Sequence, residues 1–420
     1  MPVLGHVPAL RHRNYRLLWF GQLVSTSGSM MQNAAVLWHV SLLAQGDAGD
    51  KAAAIGLVGL VKFLPIVVFS LVGGVVADAV DRKKLMLLAQ TGMTLCAGLL
   101  AFVTFRGLES AWPVYLLVGL HAAVGSFDGP ARQALVPSLV PRELLGNALN
   151  LNTILFHASN VIGPPLAGVV IAKAGVGWVY VLNALSFLAV IAALLLMRGV
   201  DTRPQGKKSD VSFSAALEGL RFVFRTPMIR STMLIDFVAT FFSSATALLP
   251  VYVQDILHVG AQEYGLLYSA QFWGALVVGL LLVRGIDHLE HPGRAFFWAV
   301  LLYGAATVGF GFSSWFWVSW AFLAVVGAAD MLSTVVRNVL RQTLTPDHLR
   351  GRMTSVSMIF FMGGPQLGEV EAGYVAKAFG PVFSVVSGGA ACMAACAAIA
   401  WGTPDLWRFR RGDDEPAKAA

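Results

Sequence analysis

Charge is what this 420-residue sequence has least of: 13% of its residues are Asp, Glu, Lys or Arg, against about 25% in a soluble domain. So little polar cover cannot solvate a chain that is 56% hydrophobic, which excludes a string of soluble domains and implies a membrane-embedded protein. Cysteine is scarcer still. Cys96, Cys392 and Cys396 are the only three, too few for a disulfide scaffold, and each lies inside an apolar run as a small packing residue would. No Gly-rich Lys-Ser/Thr loop, His-Glu-x-x-His pair or nucleophile–base set occurs, so nucleotide hydrolysis, zinc proteolysis and enzyme chemistry generally lack their signatures. No cofactor and no metal is expected.

What is abundant is long apolar runs. A membrane helix needs about 20 such residues, and twelve runs qualify: 16–43, 52–77, 85–105, 112–134, 150–173, 177–198, 229–254, 262–284, 295–312, 315–337, 353–377 and 381–402. The first is too long and too polar inside (Gln22, Ser25, Ser27, Gln32, Asn33) for a cleaved signal peptide and is expected to remain as a span. Of the 30 Lys and Arg, 25 fall on the side of both termini. Lys51, Arg106, Lys173 and Lys377 fall on the other, and Lys62 lies within a span. That asymmetry predicts cytoplasmic termini. It also accounts for the net charge of +7 through contact with anionic headgroups, with no nucleic-acid partner.

The longest polar stretch divides the chain into a six-helix bundle (1–198), a linker (199–228), a second six-helix bundle (229–402) and a cytoplasmic tail (403–420). Within the linker Phe213, Leu217, Leu220 and Phe224 recur at helical spacing beside Arg221 and Arg225, as in an amphipathic helix on the membrane surface. An internal repeat supports the division. Shifted by 205 residues, positions 132–175 match 337–380 at 13 of 44 places without a gap, among them Arg132/Arg337, Pro141/Pro346, Gly146/Gly351, Gly163/Gly368, Gly168/Gly373 and Gly175/Gly380. Spans four and five thus recur in the same sense as ten and eleven. Parallel six-helix repeats are the plan of rocking secondary transporters. The fold class expected is all-α, with twelve transmembrane helices in two pseudo-symmetric bundles.

After span two the sequence reads Gly74-Val-Val-Ala77-Asp78-Ala-Val-Asp81-Arg82-Lys83-Lys84, which resembles the signature loop of the major facilitator superfamily. Ala79 and Asp81 replace that loop's usual basic residue and glycine. Ser159-x-x-x-Gly163-Pro164-Pro165-Leu166-Ala167-Gly168 in span five is similar to the antiporter motif of exporting members, with Ser159 and Ala167 where glycines are usual. Phe20–Ser25, Phe127-Asp128-Gly129-Pro130-Ala131-Arg132, Leu139-Val140-Pro141 and Leu349-Arg350-Gly351-Arg352 resemble the branch of drug:proton antiporters that contains enterobactin exporters and macrolide-efflux proteins. The resemblance runs from about Leu10 to Trp401. It implies a charge latch on the cytoplasmic side around Asp78 and Arg82, and small-molecule export coupled to protons. His121 stands where many proton-coupled members have an arginine, and Ser29 where this branch often has an acid, so neither role carries over directly.

An ionisable side chain in mid-bilayer costs from ~2.5 kcal/mol upward and invites a functional explanation. Lys62 and His121 lie near the centres of spans two and four, and Glu369 and Glu371 near that of span eleven. The two glutamates are about 200° apart around a helix, so they cannot share one proton. Asp128 and Asp330 are expected to pair with Arg132 and Arg337, four and seven residues on, as further latch elements. Asp236 has no base within a turn except Arg230 and is the favoured proton or substrate-cation site. Lys62 is a candidate for a cargo anion. Asn33, Gln32, His39, Asn152, His157 and Asn160 could hydrogen-bond cargo or neighbouring helices. The function expected is export of a bulky, partly apolar small molecule, a siderophore or drug, by alternating access in a cytoplasmic-membrane monomer. An uncoupled facilitator or importer, for example of a lipid or lysolipid, is the alternative.

Overall fold

Glycine and proline, more than polar loops, set where the helices stop. The computed structural model describes residues 8–199, 221–285, 291–345 and 350–409, without the side chains of 70–75, 77–79, 283–285, 342–344 and 350–362. Among the described residues there is no strand. The helices are α1 (Arg13–Leu43), α2 (Ala48–Ala79), α3 (Arg82–Phe105), α4 (Trp112–Leu135), α5 (Leu145–Ala174), α6 (Val176–Leu196), α7 (Pro227–Phe242), α8 (Ala261–Gly285), α9 (Pro292–Phe312), α10 (Phe316–Leu344), α11 (Arg350–Phe379), α12 (Pro381–Gly402) and the short α13 (Pro404–Arg408). The linker residues Phe213, Leu217 and Leu220, the Asp78 side chain and the Leu349–Arg352 motif fall outside the described parts.

Among the described residues nine helices are long and apolar enough to cross a membrane on composition alone. Helices α1, α4 and α11 complete the twelve. Helices α1 and α4 fall short because Gln22, Ser25 and Gln32, and His121, Asp128 and Arg132, interrupt them, and of α11 only 363–379 is described with its side chains. The protein is a multi-pass membrane protein with twelve transmembrane helices. The apolar helices show bare faces to lipid: on α3, Leu88, Leu95, Leu99 and Phe102 follow one stripe and are all exposed.

Repeat-related residues take matching conformations. Gly175 and Gly380 both have φ of +91°, a left-handed turn only glycine makes cheaply, and each ends one helix as the next begins. At the start of α3, Asp81 accepts hydrogen bonds from the backbone N–H of Lys83 (2.9 Å) and Lys84 (3.2 Å). An N-cap is therefore what this acid supplies in place of the superfamily's glycine. Helix α7 breaks at Ser243, and the chain continues through tight turns to a π-turn at Tyr252–Ile256.

Contacts divide the chain into two compact units. One holds the described residues of 1–45, 61–209 and 259–269, the other those of 46–60, 210–258 and 270–420. The first unit thus includes the start of α8, and the second includes the start of α2. Glycines permit both docks. A methyl group at Gly56 of α2 would stand 3.0 Å from the Glu369 carbonyl oxygen and 3.1 Å from Gly373 Cα of α11. One at Gly265 of α8 would press on the Pro164 carbonyl and lie 3.1 Å from Gly168 Cα of α5. Close backbone approach of this kind is how helices associate where lipid removes the hydrophobic drive.

Polar side chains join the remaining helices. In the first unit Tyr15 donates to the Ala148 carbonyl (2.8 Å), Trp19 to that of Leu151 (3.1 Å) and Asn183 to Gln32 Oε1 (2.8 Å), while His39 Nδ1 meets the Tyr180 hydroxyl at 3.1 Å. Its apolar core gathers Tyr15, Leu18, Met86, Leu135, Val190 and Leu194. That of the second gathers Ile235, Phe296, Phe297, Val336, Cys392 and Cys396, where both cysteines are free and buried.

Candidate functional site

The strongest concentration of buried charge is in the second unit. Arg337 of α10 forms an ion pair with Asp236 of α7, and both residues are buried. Ile235, Val336 and Leu340 belong to the apolar cluster around them. The second guanidinium nitrogen of Arg337 donates to Thr334 Oγ1 at 3.2 Å. The charge of Arg341, one turn further along α10, is also felt at Asp236, and those of Asp236 and Arg337 at Asp330. Two carboxylates and two guanidiniums therefore share one end of the α7–α10 contact. A buried pair of this kind is held by its own attraction, and either partner left alone is costly.

This arrangement corrects the pairing expected from local spacing. Seven residues along a helix is about 10 Å, too far for Asp330 to reach Arg337 directly; the arginine instead crosses to α7. Asp330 itself is exposed. Nor do Asp128 and Arg132 pair: Asp128 is buried and accepts from Gln90 Nε2 of α3 (2.8 Å), while Arg132 reaches α1 and donates to Gln22 Oε1 (2.6 Å). Arg82 donates to the Ala134 carbonyl at 3.0 Å, which ties α3 to α4. The partners Gln22, Gln90, Thr334 and Arg341 were not singled out by sequence reasoning. One faint signal existed. With a shift of 214 residues, Arg16, Thr26 and Ser29 of α1 match Arg230, Thr240 and Ser243 of α7, and Gln22 falls on Asp236.

The other candidates are scattered. Glu369 lies against Gly59 of α2, its Oε2 3.1 Å from where a methyl group at Gly59 would be. Glu371 is half-buried on another side of α11. In the first unit Lys62 and His121 are half-buried on the neighbouring helices α2 and α4, and Asn33 is half-buried on α1. Gln32, His39 and Asn152 are taken up by helix–helix hydrogen bonds, and Asn160 by the Phe156 carbonyl of its own helix. The α5 motif packs tightly: a methyl group at Gly163 would meet Met30 Cβ at 2.7 Å and the Ser27 carbonyl at 2.8 Å, and Gly168 abuts the Ala261 carbonyl. Pro164 lends its carbonyl to the Gly265 crossing, and Ser159 meets Ser27 hydroxyl to hydroxyl at 3.2 Å. Among the described residues no three His, Cys, Asp or Glu side chains gather as a metal set.

Known proteins give this architecture its place. The chain is similar to the enterobactin exporter EntS of Salmonella typhimurium, 27% identical over 388 residues that cover 90% of this chain and 89% of that protein. It is 25% identical to EntS of Shigella boydii over 400 residues, 95% and 94% of the two. Among solved structures it resembles a bacterial homologue of the lysosomal transporter Spinster (TM-score 0.73, 13% identity, covering 97% and 99%). It also resembles a bacterial homologue of the iron transporter ferroportin (TM-score 0.67, 18% identity, covering 92% and 98%). At those identities the structural likeness speaks for the fold alone. The profile of the major facilitator family described as transmembrane secretion effectors matches residues 5–415. Length, repeat, helix count and profile thus agree, and the chain belongs to this family: it is a membrane transporter of the major facilitator superfamily and not an enzyme.

Proposed function

We propose that this protein exports a bulky, partly apolar small molecule of the siderophore kind from the cytoplasm across the inner membrane. Both termini are on the cytoplasmic side, and proton re-entry drives a monomer through alternating access. The carrying observation is the Asp236–Arg337 pair: a carboxylate and a guanidinium, both buried, on two helices of one unit. A proton arriving on Asp236 cancels its charge and frees Arg337, so proton binding and separation of α7 from α10 become one event. The breadth of similarity to enterobactin exporters supports a siderophore as cargo, and the crowding of Lys and Arg toward the terminal side supports the orientation. The parallel repeat supports alternating access.

The test is transport by purified protein in vesicles with an imposed pH gradient. Asp236→Asn keeps the shape of the side chain and removes its titration. Uphill transport should cease, while movement down a cargo gradient and expression persist. Undiminished uphill transport by this variant would overturn the role of Asp236.

A further inference from the structure

A second charged place, in the first unit, is not used by this cycle. Helices α2 and α4 run side by side in the same direction. A methyl group at Gly119 would touch Val61 Cγ1 at 3.0 Å, and eight residues further on the rings of Phe69 and Phe127 are 6.1 Å apart. Both contacts keep one offset, 58 residues, and that register sets Lys62 level with Leu120, the residue before His121. The charge of Lys62 is felt at the imidazole. The His121 ring leans on Phe187 of α6 (centroids 5.8 Å apart, 42° between planes), which fixes its orientation.

Neither group is satisfied within the described structure. Nδ1 of His121 is buried without a hydrogen-bond partner, and Lys62 has no ion pair or hydrogen bond among the described residues. The described carboxylate at membrane depth in this unit is Asp128, which is bonded to Gln90 and lies seven residues, about 10 Å, further along α4. Glu369 lies against Gly59, one turn before Lys62 on α2. Lys62 is fourteen residues into α2, roughly 21 Å along it, too deep for a lipid headgroup to reach. An ammonium kept at that depth asks for an anion that comes and goes.

We infer that Lys62 and His121 form an anion subsite that takes an acidic oxygen group of the cargo: a carboxylate, a catecholate or a hydroxamate. The ammonium supplies charge. His121 supplies a directed hydrogen bond in whichever tautomer the ligand selects. This assignment rests on the export reading, but it concerns what is bound rather than what drives transport.

The test uses the full-length protein in nanodiscs of zwitterionic lipid, with no proton gradient. The probes are 2-naphthoate and its neutral isostere 2-naphthamide, and equilibrium binding is measured. Wild type should bind the anion about tenfold or more tightly than the amide, the scale of one charge-assisted hydrogen bond. Lys62→Met should erase the preference, Lys62→Arg should keep most of it, and His121→Phe should reduce it several-fold. Equal affinity of wild type for the two probes, or no binding of either, overturns the subsite without recourse to any variant. So does an undiminished preference in Lys62→Met. Because no gradient is applied, loss of uphill transport in Asp236→Asn beside a failed anion preference would leave export standing and remove only the subsite.

Discussion

The two halves of this transporter solve one problem in two ways. Arg132 on α4 and Arg337 on α10 are related by the 205-residue repeat, and each reaches across to the first helix of its own half. The receiving residues also correspond. Gln22 lies nine residues after the start of α1, and Asp236 nine after the start of α7. Helix packing confirms that register, since Gly163 abuts the Ser27 carbonyl and Gly368 the Phe241 carbonyl, positions again 214 apart. The scaffold is therefore the same, and the arginine is the same; only the acceptor differs. A neutral amide cannot change charge in any accessible pH range, and a carboxylate can. The comparison teaches that a clamp of this design holds with a neutral acceptor, which fits the proposed use of the carboxylate in the second half as a proton carrier.

The largest effect should come from stranding the charge. Asp236→Ala leaves the buried Arg337 unpaired and should destabilise the protein by about 3–5 kcal/mol, the usual cost of breaking one side of a buried pair. A lowered melting temperature in detergent would show it. Gln22→Ala is the matched change in the first half. Arg132 is only half-buried and can recruit water, so the loss should stay near 1–2 kcal/mol, about the worth of a hydrogen bond to a charged group. Equal losses for the two variants would mean that burial, not the acceptor, sets the strength of the clamp.

A gentler substitution sharpens the point. Asp236→Gln rebuilds in the second half the amide clamp that the first half already uses. Its stability should therefore lie within about 1 kcal/mol of wild type, since charge and hydrogen bond are traded for a hydrogen bond the same scaffold accepts. Uphill transport should nonetheless be lost. A variant that is fully stable and still proton-driven would place the coupling group elsewhere, with Asp330 of α10 the next to examine.

Much of this was legible from residues. Repeat and helix number follow from apolar length and from Gly and Pro spacing, because lipid leaves the backbone few choices. The candidate charges were legible too, since a carboxylate in an apolar run stands out. Their partners were not. Asp236 finds Arg337 101 residues later, and Arg132 finds Gln22 110 residues earlier, so any rule confined to neighbouring turns assigns Arg337 to Asp330 by default. The polar residues of α1 were ambiguous for a related reason. Whether Gln32 and His39 face cargo or α6 depends on which side of α1 meets Asn183 and Tyr180, and one helix alone does not reveal that. The glycines Gly56 and Gly265 passed unnoticed because they lie outside the conspicuous repeat, yet their crossings are related as closely as any pair in the chain.

Those crossings extend the same contrast to the opposite end of the helices, where the expected effects are smallest. Near the start of α2, Lys51 bonds Asp255 at 2.8 Å, and Lys377 of α11 meets Asp50 at 3.2 Å. The corresponding dock of α8 uses no charge pair among the described residues. There Tyr264 donates to the Ala34 carbonyl at 2.9 Å and packs on Trp38, centroids 5.1 Å apart. The Lys377–Asp50 pair is largely exposed, and exposed pairs contribute about 0–1 kcal/mol and fade with salt, whereas the buried tyrosine bond is shielded from it. Lys377→Met should therefore shift the melting temperature slightly in low salt and not at all in about 1 M salt, where the Debye length falls to about 3 Å. Tyr264→Phe should cost about 1 kcal/mol at either ionic strength. A salt-independent loss in Lys377→Met would mean that the α2 dock, too, is held by buried contacts, and the two docks would then differ in residues but not in kind.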